Sequence, residues 1–124
     1  MASTTTTFQG ISLQVTVFIA PKDVPRFWEA FRPVYDRVIA EPECTFFEVY
    51  HRSAEEEGVV SLSWVENWSK SKEWLIQHQL TKPYYDEYLA ITTPMYVRPR
   101  EIRVLDRLGP PYVMVKRENG GVWE

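Results

Sequence analysis

The stretch Val59-Val-Ser-Leu-Ser-Trp-Val-Glu66 decides the fold. Val60, Leu62, Trp64 and Glu66 fall on one face, and Ser61, Ser63 and Val65 on the other. That period of two is a strand with one face turned to a core. Just upstream, Cys44-Thr-Phe-Phe-Glu-Val-Tyr-His51 is a second strand-forming run, rich in aromatic and β-branched residues. Between the two lies a charged turn from Arg52 to Gly58 that contains Glu55-Glu56-Glu57. It is too short for the crossover a parallel pair needs, so the two strands pair antiparallel.

Outward from this hairpin, toward the N-terminus, Leu13-Gln-Val-Thr-Val-Phe-Ile-Ala20 alternates in the same way. Leu13, Val15, Val17 and Ile19 share an apolar face; Gln14, Thr16, Phe18 and Ala20 share a mixed one. Asp23 then suits a helix N-cap and Pro25 a first turn. Phe27, Trp28, Phe31, Val34, Tyr35, Val38 and Ile39 recur at steps of three and four, predicting a helix of about 16 residues with one wide apolar stripe. Pro33 inside it is expected to kink the helix or remove a hydrogen bond, and Glu41-Pro42 ends it. Toward the C-terminus, Ser69 or Ser71 caps a short helix through Lys72, Trp74, Leu75 and His78. Thr81 caps another, with Pro83 in its first turn and Tyr84, Tyr85, Tyr88 and Leu89 on one side. Pro94 and Pro99 break the pattern before a fourth strand, Ile102 to Leu108. The order β-α-β-β-(αα)-β predicts an α+β fold of the ferredoxin-like, split βαβ kind: a four-stranded antiparallel sheet with helices on one face. The other face still carries apolar residues, which predicts a homodimer.

The 124 residues fit one domain. The expected division is a disordered tail over residues 1–11, a domain over 12–109 and a C-terminal arm over 110–124, with Gly109-Pro110-Pro111 closing the domain. In that arm Tyr112-Val-Met-Val reads as a short extra strand or a segment packing on a partner. With 44% hydrophobic and 25% charged residues the chain is globular. A net charge of −3 argues against a nucleic-acid partner. No window is apolar enough for a membrane span. The N-terminus lacks the basic and apolar regions of a secretory signal, so the expected location is cytoplasmic. Cys44 is the one cysteine, which excludes an internal disulfide and a CxxC metal site. Two histidines and one cysteine make a zinc site improbable, and no metal is expected. There is no glycine-rich phosphate loop and no Ser-His-Asp candidate. The unusual figure is 15% aromatic residues, from 5 Trp, 7 Tyr and 6 Phe.

Val65-Glu-Asn-Trp68, followed by Trp74-Leu-Ile-Gln-His78-Gln-Leu-Thr-Lys-Pro-Tyr84, resembles the antibiotic biosynthesis monooxygenase (ABM) domain. That family pattern is a strand ending in an acidic residue and Trp, a short helix ending in His, then a Pro-His or Pro-aromatic opening the next helix. Glu66, Trp68, His78 and Pro83 match it, and Tyr84 stands where many members have a second His. The resemblance spans about Leu13 to Leu108 and implies a dimeric α+β barrel. It also implies a cofactor-independent oxygenase of aromatic or polyketide-type small molecules in secondary metabolism. The superfamily also houses cyclases, decarboxylases and non-catalytic proteins, so a cyclase or decarboxylase of the same substrate class and a small-molecule-binding dimer stand as alternatives. Haem-degrading relatives carry an Asn on the first strand and a His in the last helix. Phe18, Ile19, Glu87 and Tyr88 stand there instead, which speaks against haem.

Oxidation without a cofactor needs a base, donors for a developing oxyanion and a dry aromatic pocket. Under the resemblance His78 is the base, with Tyr84, Tyr88 and Asn67 as polar assistants. Trp64, Trp68, Phe18, Tyr85 and Trp74 would hold the flat substrate. Apart from the resemblance, His78 is as compatible with a partly buried, satisfied histidine. Tyr84, Tyr85 and Tyr88 are compatible with core or dimer packing, and Trp68 with closing the strand-to-helix corner. His51 reads as solvated and Cys44 as buried and inert. The aromatics between Trp64 and Tyr96 are expected to wall a pocket around His78, with Phe27, Trp28, Phe31 and Tyr35 forming an ordinary helix stripe.

Overall fold

The computed structural model describes residues 10–53 and 58–119. The start of the tail, Glu55-Glu56-Glu57 and the end of the C-terminal arm lie outside the described residues. The elements run β1 (Ile11–Ile19), α1 (Val24–Ile39), β2 (Cys44–Ser53), β3 (Val60–Trp68), α2 (Lys72–Trp74), α3 (Tyr85–Thr92) and β4 (Tyr96–Asp106). The sheet order is β2-β3-β1-β4, with each neighbouring pair antiparallel. This is the ferredoxin-like α+β arrangement. The single chain forms an open sheet whose edges are β2 and β4, not a closed barrel.

The alternating pattern sets which face is buried. Ile11, Leu13, Val15, Val17 and Ile19 of β1 are buried, as are Val60, Leu62, Trp64, Glu66 and Trp68 of β3. Against them α1 lays Phe27, Phe31, Val34 and Val38, one stripe at helical spacing. Burying side chains of this size stabilises by about 1.5–3 kcal/mol each. Pro33 is exposed and α1 runs through it unbroken, because the carbonyl its ring orphans lies on the side open to solvent.

Local differences from the sequence reading have local causes. β1 starts at Ile11, two residues earlier than Leu13, because Ile11 pairs with both Trp68 and Asp106. Asp23 precedes α1 without a side-chain cap. The chain enters from a 3-10 turn, Pro21–Asp23, and Val24 N–H already bonds the Pro21 carbonyl. Ser71, not Ser69, caps α2, accepting from Trp74 N–H at 3.1 Å. Thr81 is not the cap of the next helix: its hydroxyl donates back to the carbonyls of Gln77 and His78, both at 3.2 Å, and α3 starts only at Tyr85. β4 starts at Tyr96, six residues before Ile102, and ends at Asp106. It is an edge strand, so Pro99 is tolerated there. The nine residues of β1 face eleven of β4, and the surplus is taken up by register shifts between Thr16 and Phe18 and between Phe18 and Ile19. Tyr112 to Val115 form no strand; Tyr112 is 78% exposed and Met114 75%. Among the described residues no helix is long and apolar enough to cross a membrane.

Candidate active site

Between α1, α3 and the inner face of the sheet lies a cavity of about 190 Å³. That exceeds the ~150 Å³ of an apolar cavity known to take benzene. Its walls are aromatic and aliphatic: Phe31 and Tyr35 from α1, Phe47 from β2, Trp64 from β3, Tyr85 and Tyr88 from α3. The rings interlock, with Phe31 centred 4.9 Å from Trp64, 6.0 Å from Tyr88 and 6.3 Å from Phe47. Exposed lining residues, Leu80, Arg100 and Ile102, mark the mouth. Arg100 and Ile102 are two residues apart on β4, so the strand period puts both on the cavity side.

One carboxylate lines this apolar space. Glu66 sits two residues after Trp64 and two before Trp68, so the strand period puts all three on the inner face. Trp64 Nε1–H donates to Glu66 Oε2 at 3.1 Å, and Trp68 Nε1–H to Glu66 Oε1 at 3.0 Å. Burial pushes the Glu66 carboxyl up from its ordinary value to about 7, against the pull of the two indole donors. At neutral pH the site therefore holds a carboxyl poised between its two protonation states, as an acid-base group requires. The same β3 surface gives Trp68 a structural place: it is fully buried and packs 6.1 Å from Trp74.

The other expected site residues scatter. His78 is exposed and does not line the cavity; its ring lies 6.0 Å from Trp74. The cause is the segment after α2, which winds as a π turn over Leu75–Gln79, with Leu80 N–H bonding the Leu75 carbonyl at 2.9 Å. Leu75 and Gln79 turn inward and His78 outward. Gln79 is fully buried and its amide donates to Tyr84 Oη at 2.6 Å and to Tyr85 Oη at 2.9 Å. Tyr84 in turn donates to Glu41 at 2.7 Å, which also accepts from Lys82 at 2.9 Å. That clamp ties the end of α1 to the start of α3 and points Tyr84 away from the cavity. Burial and the Glu41 carboxylate push the Tyr84 phenol up to about 12. Burial likewise raises Tyr85 and Tyr88, so all three hydroxyls stay protonated donors. The Tyr88 hydroxyl is buried and makes no hydrogen bond among the described residues. Asn67 and Phe18 lie on the outer sheet face, where the Arg98 guanidinium covers the Phe18 ring at 4.7 Å. Cys44 is half-buried, and burial pushes its thiol up to about 11, away from reactivity at neutral pH.

The structure thus brings Trp64, Tyr85 and Tyr88 together and leaves His78, Tyr84, Asn67, Phe18, Trp68 and Trp74 outside the cavity lining. It adds Glu66, Arg100 and the α1 aromatics Phe31 and Tyr35. The signal for Glu66 was in the alternation: an acid in phase with Val60, Leu62, Trp64 and Trp68 has to be buried.

A protein of Pestalotiopsis microspora named as a monooxygenase is 33% identical over 99 residues, covering 80% of each chain. The chain belongs to the antibiotic biosynthesis monooxygenase family. Solved structures agree in fold. One named as an antibiotic biosynthesis monooxygenase, from Caulobacter crescentus, superposes with a TM-score of 0.66 at 24% identity, over 83% of this chain and 94% of that one. SnoaB, a cofactor-independent oxygenase from Streptomyces nogalater, superposes with a TM-score of 0.64 at 8% identity, over 85% and 99%. No family model matches the chain.

Proposed function

We propose that this ABM protein oxidises a flat, apolar small molecule of aromatic or polyketide type in the cavity under α1, without a bound cofactor. The observation that carries the reading is the aromatic-walled cavity with the titrating carboxyl of Glu66 in its lining. Substrates of this class reduce dioxygen themselves once deprotonated. The protein then has to bind, exclude water and move one proton. Phe31, Tyr35, Phe47 and Trp64 supply the walls, and the protonated Tyr85 and Tyr88 supply donors for developing negative charge. A homodimer is part of the reading. The outer sheet face exposes Phe46, Tyr50 and Leu105, which a second copy would cover.

The test is oxygen uptake by metal-free protein given an anthrone. Uptake above the uncatalysed rate, lost when the smaller lining residue Leu89 is replaced by Trp so as to fill the cavity, is the expected result. Turnover that proceeds equally under argon would replace oxygenase by cyclase or decarboxylase in the same cavity. No turnover and no binding of flat aromatics would end the reading.

A further inference from the structure

We propose that Glu66 is the group that accepts the proton when a hydroxy-acid substrate ionises in the cavity. The inference rests on the cavity reading above and gives it a base. In the step, the substrate O–H bond breaks, a carboxyl O–H bond forms on Glu66, and the electron pair stays on the substrate oxygen.

Three placements support it. Glu66 is 7% exposed yet lines the cavity, so a ligand there meets it without bulk water between. Its two oxygens are held by separate indole N–H groups at 3.0 and 3.1 Å, which fixes the carboxyl and leaves further lone pairs on each oxygen. Among the described residues no lysine or arginine forms an ion pair with it. A salt-bridged carboxylate would be a poor base; this one is held only by neutral donors. The charged and titratable groups around it are few. Cys44 on β2 and Tyr85 on α3 feel its charge, and both are protonated at neutral pH. Tyr88 and Arg100 line the same cavity. Arg100 also lowers the Tyr88 phenol slightly against its burial, so a positive charge acts within the cavity lining. With the anion bound, Glu66 cannot also stay charged beside it, because like charges in a space of low dielectric exclude one another.

The experiment uses the full chain and a hydroxyanthraquinone that ionises near neutral pH and changes colour on doing so. At pH 8 both the free probe and Glu66 are anionic. Calorimetry in two buffers of different ionisation enthalpy counts the protons exchanged on binding, while absorbance reports the probe's charge. The expected result is uptake of close to one proton with the probe still showing its anion colour, and uptake near zero in Glu66→Gln. Binding with no proton uptake would overturn the proposal and leave the cavity reading intact. Uptake accompanied by loss of the anion colour would also overturn it, since the probe took the proton. Failure of the probe to bind at all would overturn both. The wild-type measurement alone can overturn the proposal, so its refutation does not depend on the variant folding.

Discussion

Replacing Glu66 by Gln should make the chain's stability less dependent on pH, by an amount the structure sets. The folded carboxyl titrates at about 7 against an ordinary 4.5. Between those values the folded chain holds a proton that the unfolded chain has released. Stability contributed by this group is therefore complete below about pH 4.5 and lost as pH rises through 7. At ~1.4 kcal/mol per pH unit the full loss is about 3 kcal/mol. A glutamine does not titrate, so the variant lacks this slope. It carries its own cost, because its amide can accept from only one of the two indoles. The orphaned donor costs about 1–2 kcal/mol at every pH. The variant should thus be the weaker protein at pH 4.5 by about 1 kcal/mol and the stronger one at pH 8 by about 1–2 kcal/mol. Urea unfolding from pH 4.5 to 8.5, at one fixed protein concentration, measures it. Every other titrating group is common to both proteins and cancels in the difference. A difference between the two that stays constant within about 0.5 kcal/mol across the range would refute the burial argument for Glu66.

Four further outcomes follow from the geometry. Phe31→Ala removes the ring that meets Phe27, Trp28, Tyr35, Phe47, Trp64 and Tyr88, and should cost about 3–5 kcal/mol in thermal or urea unfolding. Tyr84→Phe breaks the bond to Glu41 and removes one of the two acceptors of the Gln79 amide, so it should lose about 1–2 kcal/mol in the same assay. Tyr88→Phe deletes a buried hydroxyl without a partner and should leave stability unchanged or slightly higher; turnover that falls with it would mark that hydroxyl as a donor to substrate. His78→Ala, at an exposed position outside the cavity, should stay within about 0.5 kcal/mol of wild type and keep its oxygen uptake.

The fold was legible because its two central strands obey one rule. β1 from Leu13 onward and β3 over its full length alternate, their partner faces match residue for residue, and α1 repeats its apolar stripe over its full length. Where the reading slipped, a local hydrogen bond outweighed a local propensity. Thr81 is a good cap, but the carbonyls of Gln77 and His78 lay within its reach first. Pro99 is a strand breaker, but on an edge strand, beside a register shift, it costs no paired N–H and β4 passes through it.

The site was half legible, for a related reason. Residue type drew attention to His78, since an imidazole titrates near neutral pH without help. Position tells against it, because one π turn decides which of two neighbours points inward, and Gln79 took that place. Glu66 has the opposite character. Its ordinary chemistry is unremarkable at neutral pH, and only burial makes it a base there. An apolar residue of the same size would pack against Trp64 and Trp68 without that cost, though it would leave two indole donors unsatisfied. The indoles explain why an acceptor is needed. They do not explain a charged one, since a glutamine or a hydroxyl also accepts. What favours a carboxylate over those neutral acceptors is the cavity it lines, where a bound hydroxy acid has a proton to give.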